Sequence, residues 1–186
     1  MTKTVERREV VDYVTYEERR GAVRDEVMKA KALRRVHVGP LTFLFENHDT
    51  VHYQVQEMMR AERMVKEADI AHEIETYNEL LGGPGELGCS LLVELDDPDE
   101  RQDKLTRWLD LPKHLYVKRP DGTTAYACYD QRQVGETRVS SVQYLRFAVG
   151  NAAPVGVGCD HPDPELRRET ALTPEQRAAL QSDLDG

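Results

Sequence analysis

Two pairs of extended runs, each joined by a tight turn, constrain the fold of this chain more than any other feature. Arg35 to Val38 and Leu41 to Glu46 are separated by Gly39-Pro40; Leu115 to Lys118 and Thr124 to Tyr129 turn around Asp121-Gly122. Both pairs are rich in β-branched and aromatic residues, which suit a pleated, half-buried surface, and Asp-Gly is a strong hairpin signal. Strands joined by so few residues must be antiparallel, because a parallel pair needs a crossover of a dozen residues or more. The sequence therefore predicts an α+β fold: a mainly antiparallel sheet built from hairpins and covered by helices on one face. In the first hairpin Leu41, Phe43 and Phe45 share one face, while Leu44 and Glu46 take the other, so the strand ends in a carboxylate.

The remaining elements follow from periodicity and caps. Tyr16 to Arg34 carries Tyr16, Val23, Val27 and Ala30 near one helical face behind a Thr15/Glu18 capping pattern. Helices are expected over Thr50 to Ala68 and Ile70 to Leu81, the latter stopped by Gly82-Gly83-Pro84-Gly85. Ser90 to Leu95 reads as a buried strand. Asp97-Pro98 with Glu100 starts a short helix bearing Leu105, Trp108 and Leu109, and Val139 to Val149 is expected to complete the sheet.

A chain of 186 residues fits one domain and can bury on the order of 70% of its unfolded surface. Residues 1–163 are expected to form it. Residues 164–186, rich in charge and proline, are expected to be an appendage whose ordered part is a short helix begun by Thr173-Pro174-Glu175. With 34 acidic against 25 basic residues and a net charge of −9, the surface is ill suited to a phosphate backbone, so nucleic acid is not expected as a partner. No apolar run approaches the roughly 20 residues that span a bilayer, and the first residues lack the apolar segment of a signal peptide, so no membrane association and a cytoplasmic location are expected. Cys89, Cys128 and Cys159 form no paired motif and are expected to be inert thiols.

A helical wheel over residues 50–68 places Val51, Val55, Met58 and Val65 in one stripe, with Glu62 at its centre and Gln54 at its margin; His52, Gln56, Arg60, Arg63 and Glu67 fall opposite. A carboxylate among apolar side chains must recover its lost hydration from hydrogen bonds, a cation or a metal, or else keep its proton. Glu62 is thus a candidate general base, or the partner of an arginine such as Arg146 in a structural ion pair. His48 and His52 have an H-x-x-x-H spacing, but His48 precedes the expected helix. Asp160-His161-Pro162 places an imidazole beside an acid on a loop, where it could serve as ligand or general base.

Several blocks carry a family likeness: LTFLFEN at 41–47, YQVQEMMRAER at 53–63, TYNELL at 76–81, LRF at 145–147 and DHP at 160–162. Together they resemble an uncharacterised bacterial domain of unknown function (DUF3501-like) over about residues 10–163, a family often encoded beside rubrerythrin-like and heterodisulfide-reductase-like iron–sulfur proteins. Glu46, Gln54, Glu57, Arg60, Glu62, Asp160 and His161 fall within those blocks. The resemblance implies that the positions of Cys89, Cys159, His48 and His72 are commonly filled otherwise, which weakens a cysteine-zinc site or a His48/His52 site. Glu46, Glu62 and His161 remain as a ligand set for iron, manganese or zinc. The expectation is a metal- or ligand-binding accessory protein of a redox pathway, with rubrerythrin-like or iron–sulfur proteins as partners. The alternatives are a small-molecule enzyme, with Glu62 or His161 as base and Gln54, Arg60, Arg146, Glu46 or Asp160 around the ligand, and a structural interaction module.

Overall fold

The computed structural model describes residues 3–186. Helix α1 (Tyr13–Ala32) leads into the hairpin of β1 (Arg35–Val38) and β2 (Leu41–Glu46); α2 (His48–Glu62) and α3 (Glu67–Asn78) precede β3 (Glu86–Val93). Then come α4 (Pro98–Arg107), the hairpin of β4 (Leu115–Lys118) and β5 (Thr124–Tyr126), β6 (Val142–Ala148), β7 (Gly156–Cys159), β8 (Arg168–Ala171) and α5 (Pro174–Asp185). The expected antiparallel α+β architecture is present, with the strands divided between two sheets of order β1-β2-β3-β6 and β5-β4-β7-β8.

The two sheets face each other across the main core. Val36, Phe43, Phe45, Leu91, Leu145 and Phe147 point inward from the first sheet and Leu115, Val117 and Val157 from the second. Phe147 lies 6.3 Å from both Phe43 and Phe45, in tilted ring pairs; burying each such side chain stabilises the fold by roughly 1.5–3 kcal/mol. The sheets are tied at both margins. Cys128 and Arg146 exchange two 2.8 Å backbone hydrogen bonds at one, and the Thr170 hydroxyl donates to the His37 carbonyl at the other.

Every residue of β2 is buried, because its outer face is covered too. Val51, Val55 and Met59 of α2 pack with Ile70 and Ile74 of α3 and with Val5 and Val10 of the N-terminal segment in a second core. Two amides clamp that segment: Gln56 accepts from the Val11 amide and donates to its carbonyl, and Asn78 does the same to Val5. The loop after α3 crosses the outer face of β3 so closely that a Cβ at Gly88 would stand 1.8 Å from the Leu80 carbonyl oxygen, so glycine is required there.

Several expectations need correction. Helix α2 begins at the Asn47 cap and ends at Glu62, where Arg63 adopts φ 50° and reverses the chain. The expected helix ran to Ala68, so the wheel counted Val65, which is 72% exposed, as part of an inner stripe. The true stripe is Val51, Val55 and Met59; Gln56, placed on the solvent side by the wheel, is buried. Residues 164–186 are not an appendage: β8 pairs with β7, Leu166 and Leu180 are fully buried, and Arg34 holds Asp183. Leu166, Leu172 and Leu180 are buried and Leu184 packs against the same core, which a composition average hides.

Candidate metal centre

The densest group of ligating side chains forms where α4 hands over to β4. Trp108 and Leu111, both fully buried, anchor the connection, and Pro112 helps to wind residues 111–114 into a single tight turn that sets Asp110 and His114 on one side. Strand β4 then pairs with β7, Leu115 opposite Cys159, and the ladder continues one step further as the Asp160 amide donates to the His114 carbonyl. Residues that leave a ladder together stay adjacent. The His114 Nδ1 and Asp160 Oδ1 atoms lie 2.9 Å apart, and the Asp110 carboxylate bridges His114 Nε2 at 3.3 Å and His161 Nε2 at 3.0 Å. The two imidazole rings meet nearly edge to face, 5.0 Å between centroids.

Surrounding contacts fix the protons. The Asp163 amide donates to His161 Nδ1, so the His161 proton sits on Nε2 and points at Asp110. Asp163 is itself held by the Trp108 indole N–H and the Glu165 amide. At His114 both nitrogens face carboxylates. With Nδ1–H donating to Asp160, the Nε2 lone pair faces Asp110, an arrangement that a bound cation would bridge. Burial raises the Asp110 pKa, but hydrogen bonds from His161 and His114 outweigh it and hold the carboxyl below its usual range. Asp160 behaves likewise, burial opposed and outweighed by hydrogen bonds from Tyr126 and His114. The Tyr126 hydroxyl donates to Asp160 at 2.5 Å, and that bond to a carboxylate raises its own pKa.

One ligand atom each from Asp110, His114 and His161 lies within 4.8 Å of the others, the one such group among the described residues. Asp110 is half exposed and His161 only 8%, so the group opens to solvent on one side while its rear is packed. Two imidazoles and a carboxylate with an open face suit iron, manganese or zinc, and a carboxylate behind the far nitrogen of a ligating histidine is the usual outer support of such ions.

Residues 4–184 match the family model described as "Protein of unknown function (DUF3501)". The chain belongs to the DUF3501 family. It is also similar to a protein of unknown function from Burkholderia pseudomallei K96243 known from a crystal structure, with 27% identity over 98% of this chain and 100% of that one and a TM-score of 0.88. Comparison with curated proteins gives no significant match.

In this DUF3501 protein the residues singled out from sequence are dispersed. Asp160 bonds His114 and His161 bonds Asp110, so both lie at this group and neither is joined to Glu46 or Glu62. Glu62 is exposed at the end of α2, where water solvates it, so it neither pairs with Arg146 nor serves as a desolvated base. Glu46 is buried beneath α2, accepting hydrogen bonds from Ser90 and Thr50 at 2.7 and 2.5 Å, which replace the water its charge would hold. Gln54 bonds Tyr77; Arg60 turns to Glu17 and Glu57, linking α2 to α1; Arg146 stands on the outer face of β6. Glu46, Glu62 and His161 therefore cannot share one ion. His161 as a free general base is also disfavoured, since both its nitrogens are engaged.

His48 and His52 stack with ring centroids 6.2 Å apart, but each contacts Glu9 of the N-terminal segment, one at its carboxylate and one at its carbonyl. All three cysteines are free: Cys89 and Cys159 are buried, burial pushing the Cys159 thiol up to about 11, and Cys128 is exposed. Asp110 and His114 carried one unused signal. Asp-x-x-x-His around a proline, directly before a strand, puts both side chains on one side of a turn.

Proposed function

We propose that this protein binds a divalent transition-metal ion through Asp110, His114 Nε2 and His161 Nε2, and that it serves as a metal-dependent accessory of a redox pathway. The observation that carries the proposal is the convergence of two imidazoles and a carboxylate within 4.8 Å, with Asp160 supporting His114 from behind. Metal at His161 Nε2 displaces its proton, which in a neutral ring moves to Nδ1. The Asp163 amide must then turn away. Occupancy is thereby linked to the position of the loop of residues 160–163. The redox setting, with rubrerythrin-like or iron–sulfur proteins as partners, rests on the neighbourhood that the family resemblance implies.

The test is metal content by mass spectrometry on protein expressed in metal-sufficient medium without chelator, beside His114→Ala and His161→Ala. Near-stoichiometric iron, manganese or zinc that both variants lose supports the centre. Metal-free wild-type protein that also takes up none of the three when they are added removes it. The network would then be a structural device pinning β4 to β7.

A further inference from the structure

A cleft of about 700 Å³ opens beside the Cys128–Arg146 bridge, between the loop after α3 and residues 128–133. Its size is that of a small-molecule site. Tyr77, Tyr129 and Tyr144 supply aromatic walls, and Arg146 and Cys128 stand side by side on its lining as partners of the backbone bridge that ties the two sheets.

Arg146 is the unpaired cation of the cleft. In a chain with 34 acids and 25 bases, most guanidinium groups find a carboxylate or carbonyl; among the described residues none is engaged by Arg146. The register shows why. Glu46, Gly88 and Arg146 lie in one row across β2, β3 and β6, and the Leu80 carbonyl fills the place above Gly88 that a reaching side chain would cross. The other cation of the cleft, Lys3, is occupied by the Glu86 carbonyl at 2.9 Å; of the three carboxylates on the lining, Asp130 is taken by Arg132, and Glu73 and Glu79, on and just after α3, form no ion pair with Arg146. One unpaired fork of donors thus remains on a lining that also carries three tyrosines.

We infer that this cleft binds a small organic anion, a carboxylate on a flat unsaturated or aromatic body, with Arg146 gripping the carboxylate and the tyrosines covering the body. Arg is suited to this because its planar guanidinium can meet both carboxylate oxygens at once. The inference is independent of the metal centre, since neither Arg146 nor Cys128 contacts Asp110, His114 or His161.

Cys128 supplies a built-in reporter, because the other two thiols are only 2% and 1% exposed. The probe is 5,5′-dithiobis(2-nitrobenzoate), an aromatic dicarboxylate disulfide. The Cys128 thiolate attacks one sulfur, the reagent's S–S bond breaks as the protein–reagent disulfide forms, and the coloured thionitrobenzoate leaves with the electron pair. Iodoacetamide, small and neutral, reports the intrinsic reactivity of the same thiol. At constant ionic strength the disulfide reaction should saturate with reagent and slow on adding 4-nitrobenzoate. Arg146→Gln should slow it about tenfold, the loss of one charged hydrogen-bonded contact, leave the iodoacetamide rate within twofold, and be partly rescued by Arg146→Lys. Rates that rise linearly with reagent and ignore 4-nitrobenzoate, or an Arg146→Gln effect equal for both reagents, would overturn the inference.

Discussion

The Arg34 guanidinium grips both carboxylate oxygens of Asp183 across 149 positions of sequence, at 2.7 and 2.8 Å, with each side chain only 9% exposed. Asn47, which caps α2, donates to the same carboxylate, so the C-terminal helix is fastened where β2 passes into α2. Asp183→Ala leaves a buried guanidinium without its partner and is expected to destabilise the fold by about 3–5 kcal/mol. Arg34→Met with Asp183→Leu should recover most of that loss, because it removes both charges together. Chemical denaturation reads both, and a loss below about 1 kcal/mol in the single variant would mean that α5 is not part of the cooperative unit.

The two amide clamps on the N-terminal segment predict a local effect. Gln56→Ala strips two partners from the Val11 backbone and Asn78→Ala strips two from Val5, at a cost of roughly 1–3 kcal/mol for each unsatisfied group that stays buried. Hydrogen exchange should rise at residues 5–11 in either variant and stay unchanged in β2 and β3. Equal acceleration throughout the chain would show that the segment is a full member of the core and not a strap over α2 and α3.

A pH dependence follows from His48. Burial lowers its pKa, but hydrogen bonds to Asp49 and Glu9 outweigh it and leave the imidazole above its ordinary value. A histidine raised in the folded state contributes stability that is complete below its unfolded pKa of about 6.5 and is lost as pH rises through the folded value. The contact between Glu9 and α2 should therefore hold below about pH 6.5 and loosen as pH rises above it, seen as faster proteolysis near residues 6–12. His48→Gln should flatten that dependence; an unchanged profile would exclude His48 as its origin.

What the sequence made legible was local. The hairpin of β1 and β2 needs only alternation and a turn, and Gly39 at φ 60° supplies it; Asp97-Pro98 starts α4 because cap, first-turn proline and acid act within one turn. What it hid depended on where chains stop or meet. The end of α2 rests on one residue, Arg63, entering a conformation that no glycine announced, and Glu62 passed from exposed to apparently buried on that error. Strands β7 and β8 are four residues each, glycine-bearing or charged, and are stabilised by their neighbours more than by their own preferences. Without β7 nothing places Asp160 beside His114, 46 residues earlier, so half of the candidate centre was visible and its partners were not.

Asp160 should matter to metal binding without being a ligand. Its carboxylate holds His114 Nδ1–H, which aims Nε2 at Asp110 and makes the ring a better donor, while the Tyr126 hydroxyl keeps the carboxylate in place. Losing such outer support typically lowers metal affinity 10–100-fold. Asp160→Asn is therefore expected to weaken binding of zinc or manganese by about that factor with no change in the thermal midpoint of the metal-free protein, and Tyr126→Phe to weaken it less. Asp110→Asn, by removing the one carboxylate ligand, should abolish binding in the same range. Calorimetric titration orders the three. If Asp160→Asn is as severe as Asp110→Asn, Asp160 is itself a ligand and the ion sits nearer β7; if it is silent, His114 is oriented by Asp110 alone and the ladder geometry that joins β4 to β7 plays no part in tuning the ion.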